Sequence, residues 1–293
     1  MEVAQILVDA LSLGGLYALT ALGIGLIFSV MRLANLAHAE FITIPAYALF
    51  VLSGQPAIAA VGIAVLAAML LALITERVAF RALRNADPTT MLIASFAVSM
   101  LLQRLLVFSA GSRIKTLDPL PMLNQPIWIG GAQISALKLV TILVCALLLA
   151  LLTFFLRKTG YGLQMRAAAE NFTMSRLVGV RANSVIAIAF ALSGALAAVV
   201  AVLFAAQTGF VHPRFGLQLV IIAFVATVIG GLGSLEGAVA GGFLVGVVST
   251  LLQALLPADL RPFREAFLFV VVILVLLFRP QGLFPASGLR ERV

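Results

Sequence analysis

Nine predominantly apolar runs follow one another along the chain, and they constrain the fold more than any other feature. A membrane-spanning helix needs about 20 apolar residues. The runs therefore predict an all-α, polytopic integral membrane protein with about nine, or eight to ten, transmembrane helices. The second run begins in polar sequence and the seventh is short, which predicts broken or tilted helices there. The nine runs are Ile6–Val30, Leu36–Leu52, Ala57–Ile74, Met91–Phe108, Leu139–Leu156, Val185–Ala206, Leu217–Ile229, Ala238–Leu256 and Ala266–Phe278.

The composition excludes the common soluble classes of protein. Of 293 residues, 63% are hydrophobic and 10% are charged, whereas soluble domains have roughly 45–50% apolar and about 25% charged residues. A soluble fold of this length could not bury so much apolar surface. This argues against a cytosolic enzyme, a nucleic-acid-binding module and a secreted disulfide scaffold. Because no linker or polar tract separates a second unit, we expect one transmembrane domain over residues 1–293.

The basic residues between the runs predict the orientation in the membrane. The chain has 19 basic and 11 acidic residues, a net charge of +8, and loops rich in Lys and Arg stay on the cytoplasmic side. We therefore expect the N-terminus outside and the C-terminus in the cytoplasm. Twelve basic residues fall on the side assigned to the cytoplasm: Arg32, Arg77, Arg81, Arg84, Arg157, Lys158, Arg166, Arg176, Arg181, Arg279, Arg290 and Arg292.

A first polar cluster, Asn35, His38 and Glu40, lies between the first two apolar runs. Such side chains at membrane depth are costly and usually line a protein interior or a watery path. On one regular helix His38 and Glu40 would point to different faces, whereas a broken helix would let both approach one polar site. Two interpretations follow. The cluster tunes a transport path or its gate, or it is a cytoplasmic turn between two spans.

A second cluster is the basic loop 157–181, in which a short helix is predicted. Asn171 can cap it, Phe172–Val178 can form it, and Gly179 can end it in the left-handed conformation. The helix is too short and polar to span, yet it has an apolar face. That face predicts docking into a groove on a partner, or a helix lying among lipid headgroups with its arginines on anionic lipid. The apolar face consists of Met174, Leu177 and Val178.

A third cluster is rich in glycine. Glycines at such positions permit tight turns and close approach between helices, so we interpret the cluster as a site of turning and packing. It lacks the lysine of a phosphate-binding loop. Within it, Glu236 is a candidate contact to a partner. The glycines are Gly230, Gly231, Gly233, Gly237, Gly241 and Gly242.

The inventory of reactive side chains argues against catalysis. The chain has two histidines and one cysteine, and no motif places a nucleophile beside a base. A metal site needs at least three well-placed ligands, which this sequence does not offer. We expect no catalytic residue, no metal and no cofactor bound by this chain.

In these clusters the chain resembles the permease subunits of branched-chain amino acid ABC importers, and the first of their two permease types in particular. Two residues depart from the family pattern: Leu36 stands in place of an aromatic residue and Ala39 in place of a glycine. The resemblance runs in order along nearly the whole chain. It is carried by Gly15–Leu19, Asn35–Glu40, Glu76–Ala79, Arg166–Asn171, Leu177–Val180, Gly230–Ser234, Gly237–Ala238, Gly241–Gly242 and Arg279–Phe284.

The resemblance implies a heteromeric importer in a bacterial-type inner membrane. Two permease chains, this one and a second, different one, would form the path. Two ATP-binding subunits would drive it and hold the ATP, and an external substrate-binding protein would deliver the substrate. The predicted helix of the basic loop becomes the coupling helix, with Arg166 and Glu170 at its edge. Related systems carry other amino acids, amides or urea, and these substrates stay open.

Two other classes of protein stay open from the residues alone. A secondary carrier would couple transport to an ion through Glu40, although the further acids or internal repeats typical of carriers are missing. A membrane-embedded enzyme would need a catalytic pair at one depth, for which only His38 with Glu40 qualifies. ATP dependence separates the importer from the carrier, and product formation without net movement would identify the enzyme.

Overall fold

The structure, a computed structural model, describes residues 3–32, 34–84, 86–129 and 132–284. Arg290 and Arg292 of the predicted cytoplasmic tail lie outside the described residues. Within them the fold is a bundle of eleven helices, which confirms the all-α polytopic prediction. The helices are α1 Val3–Met31, α2 His38–Val51, α3 Ala57–Thr75, α4 Pro88–Ala110, α5 Ala136–Lys158, α6 Gly160–Glu170, α7 Phe172–Leu177, α8 Ala182–Thr208, α9 Phe215–Gly230, α10 Leu235–Leu255 and α11 Arg264–Phe278.

Each of the nine apolar runs corresponds to one helix, because a chain in lipid must satisfy its backbone hydrogen bonds within each segment. Six helices are long and apolar enough to cross a membrane: α1, α3 with its π-helical extension Glu76–Phe80, α4, α5, α8 and α10. The other three, α2, α9 and α11, are shorter. The remaining helices, α6 and α7, lie in the basic loop, where the sequence indicated only α7.

The core of the bundle is built around α1. In its most apolar 18-residue window 89% of the residues are buried, compared with 67% in α8 and 17% in α4. The fully buried side chains come mainly from α1, α2, α8 and α9, whereas α3 and α4 expose most of their leucine and isoleucine side chains. The first helix is therefore central, and α4 is a peripheral helix.

Glycines allow α10 to pack closely on two neighbours. On one face a Cβ added at Gly242 would lie 2.5 Å from the backbone nitrogen of Ala18 in α1, and one at Gly246 would overlap the Cα atom of Gly14. On another face Gly237 packs against Gly230 of α9, and a Cβ added at either glycine would overlap the backbone of the other. In a membrane the hydrophobic effect does not drive helices together. Small residues at the contact let the two backbones approach closely and gain van der Waals contact instead.

Small residues also form the contact between α3 and α8. The buried positions of α3 are alanines spaced by one turn, including Ala64, Ala68 and Ala72. A Cβ added at Gly194 of α8 would lie 2.7 Å from the carbonyl oxygen of Ala68. This contact holds α8 against α3, and Ser193, the neighbour of Gly194, lies buried in the interior.

Two short antiparallel sheets lie in the loops: β1 Lys115–Thr116 pairs with β4 Phe210–Val211, and β2 Pro126–Ile129 pairs with β3 Ala132–Ser135. The sequence did not indicate these strands. The first pair joins segments far apart in the chain, which no local pattern can reveal. It ties the end of α4 to the segment before α9.

The two ends of the bundle differ in character. One end, called the Arg-rich end, contains the loop 159–181 together with Arg32, Arg84 and Arg157. The opposite end contains the ion pair of Asp9 with Lys138 and the sheets β1–β4 and β2–β3.

Candidate functional site

The helical backbone is interrupted inside the bundle between α1 and α2. The described residues from Arg32 to Ala37 are not helical, and α2 starts at His38. With 14 residues, α2 rises only about 21 Å, which is less than the roughly 30 Å of the hydrocarbon core. Irregular backbone at membrane depth is tolerated only where protein or a watery cavity surrounds it.

The first turn of α9 packs against the first turn of α2. The backbone nitrogen of Gly216 donates a hydrogen bond to Thr43 Oγ1 over 3.0 Å, and a side chain at Gly216 would overlap the carbonyl oxygen of Ala39. The two short helices therefore begin at the same depth. Their N-terminal turns, with the segment before α2, form the polar centre of the bundle.

All three residues of the first cluster are buried at this centre. The exposed fraction is 3% for Asn35, 0% for His38 and 2% for Glu40. Asn35 Oδ1 accepts a hydrogen bond from the backbone nitrogen of Ala37 over 3.0 Å, which stabilises the turn into α2. His38 and Glu40 both lie in the first turn of α2 but face different helices.

His38 points to α1 and α8. Its Nδ1 lies 3.1 Å from Ser193 Oγ, which donates its own proton to the carbonyl oxygen of Gly23 over 2.9 Å. Because the single proton of the Ser193 hydroxyl goes to that carbonyl, its oxygen is free to accept a hydrogen bond from Nδ1 of His38. A Cβ at Gly23 would lie 2.8 Å from His38 Cε1, so the glycine makes room for the imidazole.

Glu40 points to α4, which carries polar side chains on three successive turns. Ser99 donates to Glu40 Oε1 over 3.2 Å. One turn before it, Ser95 accepts from the backbone nitrogen of Leu36 over 3.3 Å, and one turn after it, Gln103 donates to the carbonyl of Pro213 over 3.3 Å. We call Ser95, Ser99 and Gln103 the α4 polar stripe.

Each side chain of the cluster keeps one polar atom without a partner in the described structure: Asn35 Nδ2, His38 Nε2 and Glu40 Oε2. Buried polar groups are normally hydrogen-bonded, and leaving one unpaired costs free energy. Three such atoms therefore lie within one short segment of the chain.

The sequence did not single out the partners of this cluster. Serines in apolar helices are common, so Ser193 gave no signal of its own. The α4 polar stripe had a detectable signal, because Ser95, Ser99 and Gln103 recur at intervals of four in a mostly apolar helix. That spacing places polar groups on one face.

At the Arg-rich end, α7 forms within the basic loop. Asn171 Oδ1 accepts from the backbone nitrogen of Met174 over 3.0 Å and so caps the helix. The helix ends at Leu177, and Gly179 adopts φ 90, in the left-handed region. Its apolar side chains lie exposed: Met174 at 60%, Leu177 at 77% and Val178 at 82%.

The helix α6 positions α7 against the bundle. Gly162 packs against α5 so closely that a Cβ there would lie 2.6 Å from Leu156 Cα, while Met165 and Ala168 are buried. Arg166 and Glu170 lie exposed on the outer face of α6. The exposed apolar face of α7 therefore adjoins a helix that packs closely against α5.

Two arginines connect this end to the helices. Arg32 donates to the carbonyl oxygen of Ala169 over 3.0 Å, and Arg84 bridges Glu76 of the π-helix and Asn183 at the start of α8.

The glycine-rich third cluster forms the turn between α9 and α10, where Gly231 and Gly233 adopt positive φ. In the first turn of α10, Glu236 forms an ion pair with Arg157 over 2.7 Å.

Taken together, the described structure is that of a multi-pass membrane protein with a polar, broken-helix centre and a short helix with an exposed apolar face at one end. Among the described residues, no group of three His, Cys, Asp or Glu side chains could hold a metal ion. The polar, broken-helix centre within a multi-pass bundle defines the class of membrane transport subunits.

Comparison with known proteins identifies the family. Residues 6–277 match the family described as the permease component of the branched-chain amino acid transport system, and the chain belongs to that family. It is 34% identical to the high-affinity branched-chain amino acid transport system permease protein BraD of Pseudomonas aeruginosa, over 95% of this chain and 94% of that protein. It is 32% identical to LivH of Escherichia coli, with the same coverage. A partial match, 33% identical over 58% of this chain and 52% of the relative, is the autoinducer 2 import system permease protein LsrC of Photorhabdus luminescens.

Proposed function

We propose that the chain is the permease subunit of an ATP-driven importer that moves branched-chain amino acids inward across a bacterial-type inner membrane. Similarity over 95% of the chain to BraD and LivH, both named as high-affinity branched-chain amino acid permeases, carries this proposal. The whole chain forms one transmembrane domain. The N-terminus lies outside and the C-terminus in the cytoplasm, an orientation that the Arg-rich end supports.

The helix α7 is the surface on which an ATP-binding subunit docks. Its exposed apolar face fits a groove on a partner. Its place between α6 and α8 lets a push on α7 reach the bundle. Two such subunits bind and hydrolyse the ATP, so the permease chain holds no cofactor. Arg166 and Glu170 form polar contacts at the edge of this interface.

The polar centre is part of the substrate path or its gate. A buried carboxyl group with a free oxygen, such as Glu40, can accept a hydrogen bond from the ammonium group of an amino acid. Asn35 and His38 offer a donor and an acceptor at the same depth. Closure of the ATP-binding subunits would rock the helices around this centre, so that it opens alternately to the two sides.

The proposal is tested first by what the chain assembles with. The tagged chain is purified from its native membrane in mild detergent, and the bound proteins are identified by mass spectrometry. We expect an ATP-binding subunit and a second, different permease chain, with an external binding protein recovered when substrate is added. A homo-oligomer that is reproducible across detergents would instead support an ion-coupled carrier.

The substrate is tested with the reconstituted complex. Uptake of labelled L-leucine into vesicles should require internal ATP and the binding protein. The partial match to an autoinducer 2 permease favours a second candidate, import of another small polar solute. Competition by other amino acids, amides and urea therefore belongs in the same assay, and uptake of one of these without uptake of leucine would replace the proposed substrate.

A further inference from the structure

An open cleft lies at the opposite end of the bundle, away from the Arg-rich end. It has a volume of about 530 Å³ and lies between the outer half of α4 and the segment that runs from β4 into α9. Pockets for small ligands have volumes of about 300–1,000 Å³, so the cleft has the size of a small-molecule site.

The walls of the cleft combine positive charge with apolar surface. Arg104 and Arg214 contribute two guanidinium groups, and neither forms an ion pair with a described residue. Burial lowers the pKa of His212, so its ring is neutral at pH 7 and the charge comes from the arginines. The apolar part of the wall consists of Val107, Ile114 and Phe210.

One residue that lines the cleft, Gln103, belongs to the α4 polar stripe. Gln103 lines the cleft and donates to the carbonyl of Pro213, another lining residue. One turn further along α4, Ser99 contacts Glu40. The α4 polar stripe therefore places one polar side chain per turn between the cleft and the buried carboxyl group.

From this geometry we propose that the cleft receives the substrate from outside, with Arg104 and Arg214 binding the α-carboxylate of an aliphatic amino acid. Guanidinium groups form strong, charge-assisted hydrogen bonds to carboxylates. The apolar wall contacts the aliphatic side chain, and the zwitterion then passes along Gln103 and Ser99 to Glu40. This inference rests on the proposed function and adds to it the site of first contact.

The test uses the complete importer in vesicles with internal ATP, external binding protein loaded with labelled L-leucine, and the variants Arg104→Gln and Arg214→Gln. Loss of a charge-assisted hydrogen bond should lower the maximal uptake rate roughly tenfold. The half-saturating concentration of the loaded binding protein should stay unchanged. Arg104→Lys, which keeps the charge, should recover part of the rate. Arg261→Gln, an arginine outside the cleft, is the matched control.

Two results would overturn the inference. Uptake at the wild-type rate in both glutamine variants would show that the cleft binds no carboxylate on the path. A higher half-saturating concentration with an unchanged maximal rate would assign the arginines to the surface of the binding protein. Because the two arginines lie on different elements, a variant that fails to assemble leaves the other as the test. If the wild-type complex takes up no branched-chain amino acid, the proposed function fails before any variant is compared.

Discussion

The guanidinium of Arg32 donates a hydrogen bond to the backbone carbonyl of Ala169 over 3.0 Å, and this contact joins the end of α1 to the end of α6. Arg32 has φ 55, and no other non-glycine residue in the described ranges has a positive φ. Such a conformation costs about 1–3 kcal/mol. Arg32, the first residue of the α1–α2 break, therefore contacts α6, the helix that supports α7.

We expect this contact to couple movement of α7 to the polar centre. Arg32→Gly suits the left-handed backbone but removes the guanidinium, so the fold should persist. Uptake of L-leucine per ATP hydrolysed should fall roughly threefold to tenfold, with unchanged binding of the ATP-binding subunit. Arg32→Lys keeps a donor and serves as the control. A wild-type ratio of uptake to hydrolysis in Arg32→Gly would contradict the prediction.

A second prediction concerns the docking face of α7. Leu177 is 77% exposed in the chain alone. If a partner covers it, Leu177→Asp places an unpaired carboxylate in an apolar groove. The cost of about 3 kcal/mol or more corresponds to a loss of binding of about a hundredfold. Pull-down of the ATP-binding subunit measures this loss.

The matched control for that prediction is Leu163→Asp. Leu163 lies on α6 in the same loop and is 62% exposed, so the substitution changes charge and hydropathy equally. Membrane insertion should be normal in both variants, and only Leu177→Asp should lose the partner. Equal binding by both variants and the wild type would mean that α7 lies among lipid headgroups.

The sequence predicted α7 closely because its signals are local. The Asn171 cap acts on Met174, three residues away, and Gly179 follows within two residues of the last helical position. Likewise the nine apolar runs each contain the whole pattern of one helix. Such features depend only on residues that are close together in the chain, so the sequence alone predicts them.

The partners of the polar centre could not be predicted in the same way. Ser99 lies 59 residues from Glu40, and Ser193 lies 155 residues from His38. Their contacts depend on how α4 and α8 pack against α2, which periodicity within one helix does not determine. The cluster itself was visible because charged and polar groups are rare in apolar sequence.

A third prediction tests the glycine contact of α10 with α1. Gly246→Ala would force a methyl group into the Cα atom of Gly14, and such overpacking costs about 1–3 kcal/mol. At Gly62 of α3 nothing lies within 4 Å of an added Cβ. There alanine should stabilise the helix by about 0.5–1 kcal/mol.

The two substitutions are therefore expected to have opposite signs in one assay. Unfolding of the purified chain in mixed micelles, followed by circular dichroism, gives the free energy of each variant. Lower stability for Gly246→Ala and equal or higher stability for Gly62→Ala is the expected pattern. Equal stability of the two variants would mean that α1 and α10 can separate at no cost.

The last prediction concerns Glu40. Glu40→Gln keeps the shape of the side chain and can still accept the hydrogen bond from Ser99, so the fold should be unaffected. It removes the carboxyl group that we assign to the path, and uptake should fall about tenfold because the glutamine side chain has no negative charge to pair with the ammonium group. Ser99→Ala removes only the positioning contact and should have a smaller effect.

Steady-state uptake by the assembled complex measures these changes, with Glu265→Gln near the start of α11 as the control for a glutamate outside the path. His38→Ala belongs in the same series, because Nε2 of His38 lies unpaired at the same depth. A path or gate requires that at least one of the two residues change the rate or the affinity. If Glu40→Gln and His38→Ala both transport at the wild-type rate and affinity, Asn35, His38 and Glu40 form only a structural turn between α1 and α2.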